Sequence, residues 1–178
     1  RYKTGCIDRL NQIISRYYQR LSISNSVIRI HYSGPVEWSD TIKSDLLDKY
    51  QKSLERDKYL KMTHIGVHRD DFEFYIDDKE VISVASQGQR RLIIVALKCS
   101  LIEVIEEMTG SKPILLLDDV FSELDIKRRE ALFDVLHQNT QTIITTTDLE
   151  DVRLWTKDHV SIYEVNQGKV VERSRIDE

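Results

Sequence analysis

With 178 residues, 40% of them hydrophobic and 31% charged, the chain is long enough for one good core, with or without an appendage. Its composition is that of a soluble globular protein and excludes fibrous and disordered classes, and its net charge of −4 gives no overall basic field, so any DNA contact has to use local patches. Cys6 and Cys99 are too few and too far apart for a disulfide framework or a cysteine metal site, which points to a reducing cytoplasm, and no apolar run approaches the roughly 20 residues of a membrane span.

Residues 6 to 21, "CIDRLNQIISRYYQRL", set Ile7, Leu10, Ile13, Ile14, Tyr17 and Leu21 at helical spacing among polar residues. "SVIRIHYSGP" then alternates like a strand and stops at Gly34-Pro35. A second helix is expected from a cap at Ser39 or Asp40 to about Lys58, with Ile42, Leu46, Leu47, Tyr50 and Leu54 on its inner face. "DFEFYIDDKEVISVA" reads as two strands joined by a polar turn at 77 to 80. Leu92 to Met108 is apolar over so wide a surface that a largely buried helix is expected, stopped by Gly110. "PILLLDDV" and "TIITTTD" are continuous apolar strands, the mark of a parallel sheet covered on both faces, and "DIKRREALFDVLHQ" is the crossover helix between them. The last stretch reads as a hairpin turning at Asn166 to Gly168. Together these make an α/β chain, with a mainly helical segment over 1–62 and a strand-rich unit over 63–178.

Two stretches carry chemistry. Asp118 and Asp119 close an apolar strand, at the edge of a sheet where α/β folds bind ligands. One carboxylate there can hold magnesium through its water shell and the other can orient an attacking water, although aspartate after a strand is also a common turn residue. "SQGQRR" opens the apolar helix with a capping Ser86 and a small Gly88, which suits either a phosphate-facing helix start or an ordinary cap. Arg90-Arg91 and Lys127-Arg128-Arg129 stand near helix starts, against the helix dipole, and fit a solvated face or a contact with phosphate, carboxylate or a partner. His68, with Arg69, Asp70 and Asp71, fits a polar network or an ion-paired loop. His64 and His68 lack a third ligand at a usable spacing for zinc.

"HRDDFEF" at 68 to 74, "ASQGQRR" at 85 to 91, "PILLLDDVFSELDIKRR" at 113 to 129 and "TIITTTD" at 142 to 148 come in an order and spacing that resembles the ABC-type ATPase heads of the SMC and Rad50 group, most closely the RecF family. The likeness covers about residues 63 to 150, and residues 1 to 62 match as the expected helical arm. It implies the C-terminal lobe of an ABC-type head, with a mixed or parallel sheet flanked by helices. Ser86, Gln87, Gly88 and Gln89 then match the signature that meets ATP bound by another copy, with Gln87 where the wider family has glycine. Asp118 matches the magnesium carboxylate of Walker B and Asp119 the catalytic position, usually glutamate. Ser122 to Asp125 match the D-loop, including both named residues, and Thr147 stands where many relatives carry a switch histidine.

No GxxxxGK[ST] phosphate loop is present; "TGSK" at 109 to 112 has the wrong order. Together with a first residue that is Arg1, this leads us to expect part of a longer protein, with ATP bound weakly and hydrolysed negligibly by this piece alone. The resemblance further implies a cytoplasmic DNA repair ATPase that uses ATP and magnesium, dimerises on gapped DNA, works with the mediators RecO and RecR, and supports recombinase loading and the SOS response. Two other readings fit the same residues: a non-catalytic DNA- or partner-binding module, and a metal-dependent phosphohydrolase using Asp70, Asp71, Asp118 and Asp119.

Overall fold

The structure is a computed structural model and describes residues 2–36, 39–66, 69–122, 124–136, 140–147 and 160–173. In chain order the described elements are α1 (Tyr2–Ser22), β1 (Ile28–Ser33), α2 (Ile42–Leu60), β2 (Asp71–Ile76), β3 (Lys79–Glu80), α3 (Val81–Val84), α4 (Gln87–Thr109), β4 (Leu115–Asp118), α5 (Ile126–Leu136), β5 (Thr142–Thr145), β6 (Ile162–Asn166) and β7 (Lys169–Arg173).

The core forms where α1 lies against α4, α5 and β1. Leu10, Ile13, Ile14, Tyr18 and Leu21 of α1 meet Leu92, Ile93, Val95, Ala96, Cys99 and Val104 of α4, all buried. Ion pairs run along the rim of the same helix pair, Arg9 with Glu107 and Arg16 with Glu103 at 2.6 Å. The side chains of α1 also close the open edge of β1. Asn11 exchanges two hydrogen bonds with the backbone of Ile30, at 2.9 and 2.7 Å, and Ser15 exchanges two with Ile28, each 3.0 Å. An edge strand that would otherwise present unpaired backbone groups is thus satisfied by a helix. Its other edge pairs antiparallel with β2, from Ile28↔Ile76 to Ser33↔Asp71.

Cys99 sits in this core at 3% exposure, and burial pushes its thiol up to about 12. Since the thiolate is the reactive form, Cys99 is expected to resist alkylation of the native protein at pH 8 while the half-buried Cys6 is modified first. Mass spectrometry of partly alkylated protein checks the order.

Three local expectations change. The strand expected after the 77–80 turn shortens to two residues, and "VISV" winds into α3. Val81 and Ala85, four apart, are the buried residues, whereas Ile82 and Val84 are exposed, so a helical spacing meets the core. Arg90 fastens this turn by donating to the carbonyls of Ile82 at 2.7 Å and Ala85 at 3.1 Å. The second helix starts after Thr41 rather than Ser39 or Asp40, and its expected inner face is only partly covered: Leu47, Tyr50 and Leu54 are exposed, Ile42 and Leu46 are half-buried, and Ser53 is the helix's buried residue. No described element makes a broad contact with α2.

The third change concerns the parallel sheet. β4 and β5 pair in parallel, from Leu115↔Thr142 to Asp118↔Thr145, with α5 between them in sequence, as expected. They are covered on one face. Leu115 and Leu117 are buried, but Leu116 is 60% exposed and Ile143 50%. Ile94 of α4 is exposed as well, so α4 is buried along one side rather than all round. Gly110 ends α4 in the left-handed conformation (φ 71°), as its position predicted. The C-terminal hairpin β6–β7 turns at Gln167-Gly168, both at positive φ. No helix among the described residues is long and apolar enough to cross a membrane.

Candidate functional site

Ser86 is the N-cap of α4, and its hydroxyl accepts from the Gln89 backbone N–H at 3.2 Å while the Gln89 side chain accepts from the Ser86 N–H at 2.9 Å. This reciprocal pair satisfies two of the orphan donors at the helix start. Gln89 also meets the hydroxyl of Tyr18, whose pKa is raised, chiefly by burial. A buried tyrosine of α1 therefore backs the residue that holds Ser86. Ser86 and Gln87 themselves are exposed, and Gly88 is half-buried. The first turn of a 23-residue helix thus faces outward with its positive dipole end accessible to an anion.

Asp118 is the last residue of β4 and is exposed; its Oδ1 accepts a hydrogen bond from the Thr145 hydroxyl across the parallel pair. The next residue, Asp119, has φ 45°, a left-handed conformation that costs a non-glycine residue about 1–2 kcal/mol. Such strain persists where the surroundings over-determine it, and here both peptide groups of Asp119 are held. Its N–H donates to the Thr145 carbonyl at 3.1 Å and, more weakly, to the Thr145 hydroxyl at 3.3 Å. Its carbonyl accepts from Arg91 at 3.0 Å and from the Ser122 hydroxyl at 3.3 Å. The same Nη1 of Arg91 also donates to the Ser122 hydroxyl. A turn that would otherwise relax is pinned by β5 on one side and by α4 on the other.

Asp125 is the cap of α5: its Oδ1 accepts from the Arg128 N–H at 2.9 Å, and its Oδ2 pairs with the Arg128 guanidinium at 3.4 Å. Arg129 reaches back to the carbonyls of Leu124 at 2.8 Å and Phe121 at 3.1 Å. Arg90, Arg91, Arg128 and Arg129 thus hold backbone carbonyls or a capping carboxylate, which offsets their placement against the dipole. Thr147 is exposed just beyond β5, and it is Thr145, two residues earlier, that touches Asp118. A cleft of about 430 Å³ lies between α4 and β4, lined by Gln87, Arg90, Arg91, Lys98 and Asp118 among others.

The structure therefore ties Asp119 and Ser122 to α4 through Arg91 and Asp118 and Asp119 to β5 through Thr145, and sets Gln87 and Asp118 on the walls of one cleft. Thr145 was not singled out by pattern, and Arg91 stood out only as half of a basic pair at a helix start, without these acceptors. The charge of Arg91 at a helix start was the available signal, because an arginine there needs a partner to offset the dipole. Asp70 binds Tyr32 instead, raising the tyrosine's pKa to about 12, first through burial and then through this bond. Among the described residues no three His, Cys, Asp or Glu side chains gather as metal ligands, so Asp70 and Asp71 do not join Asp118 and Asp119 in one cluster. His68 and Glu123 lie outside the described residues.

No family model matches the chain. It is 38% identical over 170 residues to the DNA replication and repair protein RecF of Lactobacillus delbrueckii subsp. bulgaricus, which covers 92% of this chain and 45% of that protein. It is 40% identical over 166 residues to the protein of the same name from Streptococcus agalactiae, covering 92% and 44%. The chain spans about half the length of the curated relatives it matches. Among solved structures, that of the recombination mediator protein RecF-ATPrS in the RecFOR pathway superposes with a TM-score of 0.72 at 30% identity, over 96% of this chain and 45% of that one. An Smc head bound to the C-winged helix domain of ScpA superposes at 0.54 with 17% identity, over 94% of this chain and 43% of that one, a likeness of fold alone. Sequence and fold agree over nearly the whole of its length, and the chain belongs to the RecF family.

Proposed function

We propose that the chain is the signature and Walker B part of a RecF-like DNA repair ATPase, a machine whose two heads meet face to face with ATP between them. The observation that carries this reading is an outward-facing capped helix whose Arg91 holds the turn at Asp119 and whose Gln87 shares a cleft with Asp118, at the carboxyl end of a parallel strand. In the proposed division, residues 1–62 end the helical arm and residues 63–178 form the head.

Ser86, Gln87 and Gly88 present a helix N-terminus to the γ-phosphate of ATP carried by another copy, and Gln89 holds Ser86 in place. Asp119 orients the attacking water, and Ser122 and Asp125 shape the D-loop between the two heads. Thr147, at the switch position, offers a hydroxyl to an oxygen of the same site. Asp118 fits magnesium: it is an exposed hard-oxygen ligand with one oxygen held by Thr145 and room for water around the other. When bound, the ion neutralises charge on the phosphate oxygens. The open apolar face of Leu116, Ile143 and Ile94 suits packing against the rest of a head, in keeping with relatives about twice as long.

In this role the dimer closes on DNA at gaps and hydrolysis releases it, in the cytoplasm, in support of recombinase loading with RecO and RecR and of the SOS response. An acidic protein needs a local basic surface to do so, and binding weakens as salt rises. The test is ATP-dependent dimerisation of the full-length protein. Ser86→Arg puts a bulky cation where the γ-phosphate approaches and removes the cap; dimerisation is expected to be lost while ATP binding to the monomer persists. Size-exclusion chromatography with light scattering, with and without ATP, reads the outcome. Unchanged ATP-dependent dimerisation in Ser86→Arg rejects the assignment of this helix start to the interface.

A further inference from the structure

We propose that Arg91 is a positioning residue that sets the conformation of Asp119 within its own subunit and so ties the signature helix to the hydrolytic turn. This rests on the reading of Asp119 as the water-orienting carboxylate. Arg91 stands in the second turn of α4, five residues after Ser86, and one nitrogen of its guanidinium donates to both the Asp119 carbonyl and the Ser122 hydroxyl. Asp119 holds a left-handed backbone conformation with no glycine to ease it. Its N–H side is fixed by Thr145, which belongs to the sheet and moves with it. Its carbonyl side is fixed by Arg91, which belongs to the helix whose start faces the other subunit's nucleotide.

The consequence is directional. If Arg91 is lost, Ser122 alone holds the Asp119 carbonyl, at 3.3 Å, and the turn is free to relax toward ordinary φ values. The Asp119 carboxylate then swings with it, while the Ser86–Gln89 cap, which makes no use of Arg91, stays formed. Arg91 thus serves the ATP held by its own subunit, whereas Ser86 serves the ATP held by the partner copy. A residue that bridges the two lets the arrival of one nucleotide at the signature reach the carboxylate that acts on the other.

The test uses the full-length protein with DNA. Arg91→Ala is expected to lower kcat about 10²-fold, the scale of a misplacement near 1 Å, while KM for ATP and ATP-dependent dimerisation stay as in the wild type, a split that a folding defect does not produce. Arg91→Lys, which keeps the charge and the apolar stem, is expected to fall between the two at the same KM. Mixed dimers then assign the subunit. When Arg91→Ala is paired with a partner copy defective in its phosphate-loop lysine, the surviving nucleotide sits beside the altered turn and turnover is lost. When both changes are in one copy, the surviving nucleotide sits beside an intact turn and turnover remains. Equal turnover in the two mixtures, or a kcat for Arg91→Ala equal to wild type, overturns the proposal. Asp119→Asn run alongside separates it from the reading beneath: a fully active Asp119→Asn protein removes the site assignment itself.

Discussion

Asp119→Asn in the full-length protein is expected to abolish ATP turnover while leaving ATP binding and ATP-dependent dimerisation intact. The substitution keeps the size and planarity of the side chain and removes its charge and its capacity to accept a proton. A positioned carboxylate that orients or deprotonates water contributes about 10²- to 10⁴-fold, so the barrier rises by at least about 2.7 kcal/mol. The backbone hydrogen bonds that hold the turn, to Thr145 and from Arg91, do not involve the carboxylate and survive the change. In the proposed cycle hydrolysis separates the heads, so the variant is expected to accumulate as an ATP-bound dimer and to release DNA more slowly. Single-turnover hydrolysis measured beside dimer lifetime reads both effects. A variant that hydrolyses ATP at the wild-type rate moves the catalytic group elsewhere.

Leu92→Ala is expected to have the largest effect on stability. Leu92 has 0% exposure, lies one helical turn and a half beyond the Ser86 cap, and belongs to the core shared by α1, α4 and β4. Truncating a fully buried leucine costs about 2–5 kcal/mol, depending on how far the site collapses. Against the 5–15 kcal/mol or so that hold a typical domain together, that is a large share. The cost falls where α1 meets α4, so unfolding in denaturant is expected at markedly lower concentration with an unchanged slope. The exposed neighbour Ile94 provides the contrast: Ile94→Ala in this chain is expected to cost less, since about half of its surface already faces solvent.

The site was legible in the sequence to the extent that it is written in contiguous strings. Ser86 to Gln89 and Asp118-Asp119 each combine a special local geometry with an apolar element behind it, and both fall where the pattern placed them. The partners of Arg91 and Thr145 were not legible, because what these residues do depends on acceptors 28 and 27 residues away and not on their neighbours. The same division runs through the fold. Helical spacing located α1 and α4, but nothing local says that Asn11 and Ser15 would close the edge of β1. "EVISVA" misleads because β-branched residues favour a strand while four-residue spacing and Arg90 favour a turn of helix, and the tertiary contact wins. For "PILLLDDV" and α2 the apolar residues ask for more cover than the described residues supply. Pattern reports a need for burial without naming the element that meets it.

Subunit mixing tests the shared half-site most directly. Full-length Ser86→Arg protein and a phosphate-loop-lysine variant are each expected to be inactive alone, because every site in either homodimer contains a damaged half. Mixed, they form dimers in which one nucleotide lies between an intact phosphate loop and an intact Ser86 helix start, and DNA-dependent ATP turnover is expected to return. Turnover in the mixture no greater than the sum of the two separate proteins would contradict a site completed by the signature of a second copy.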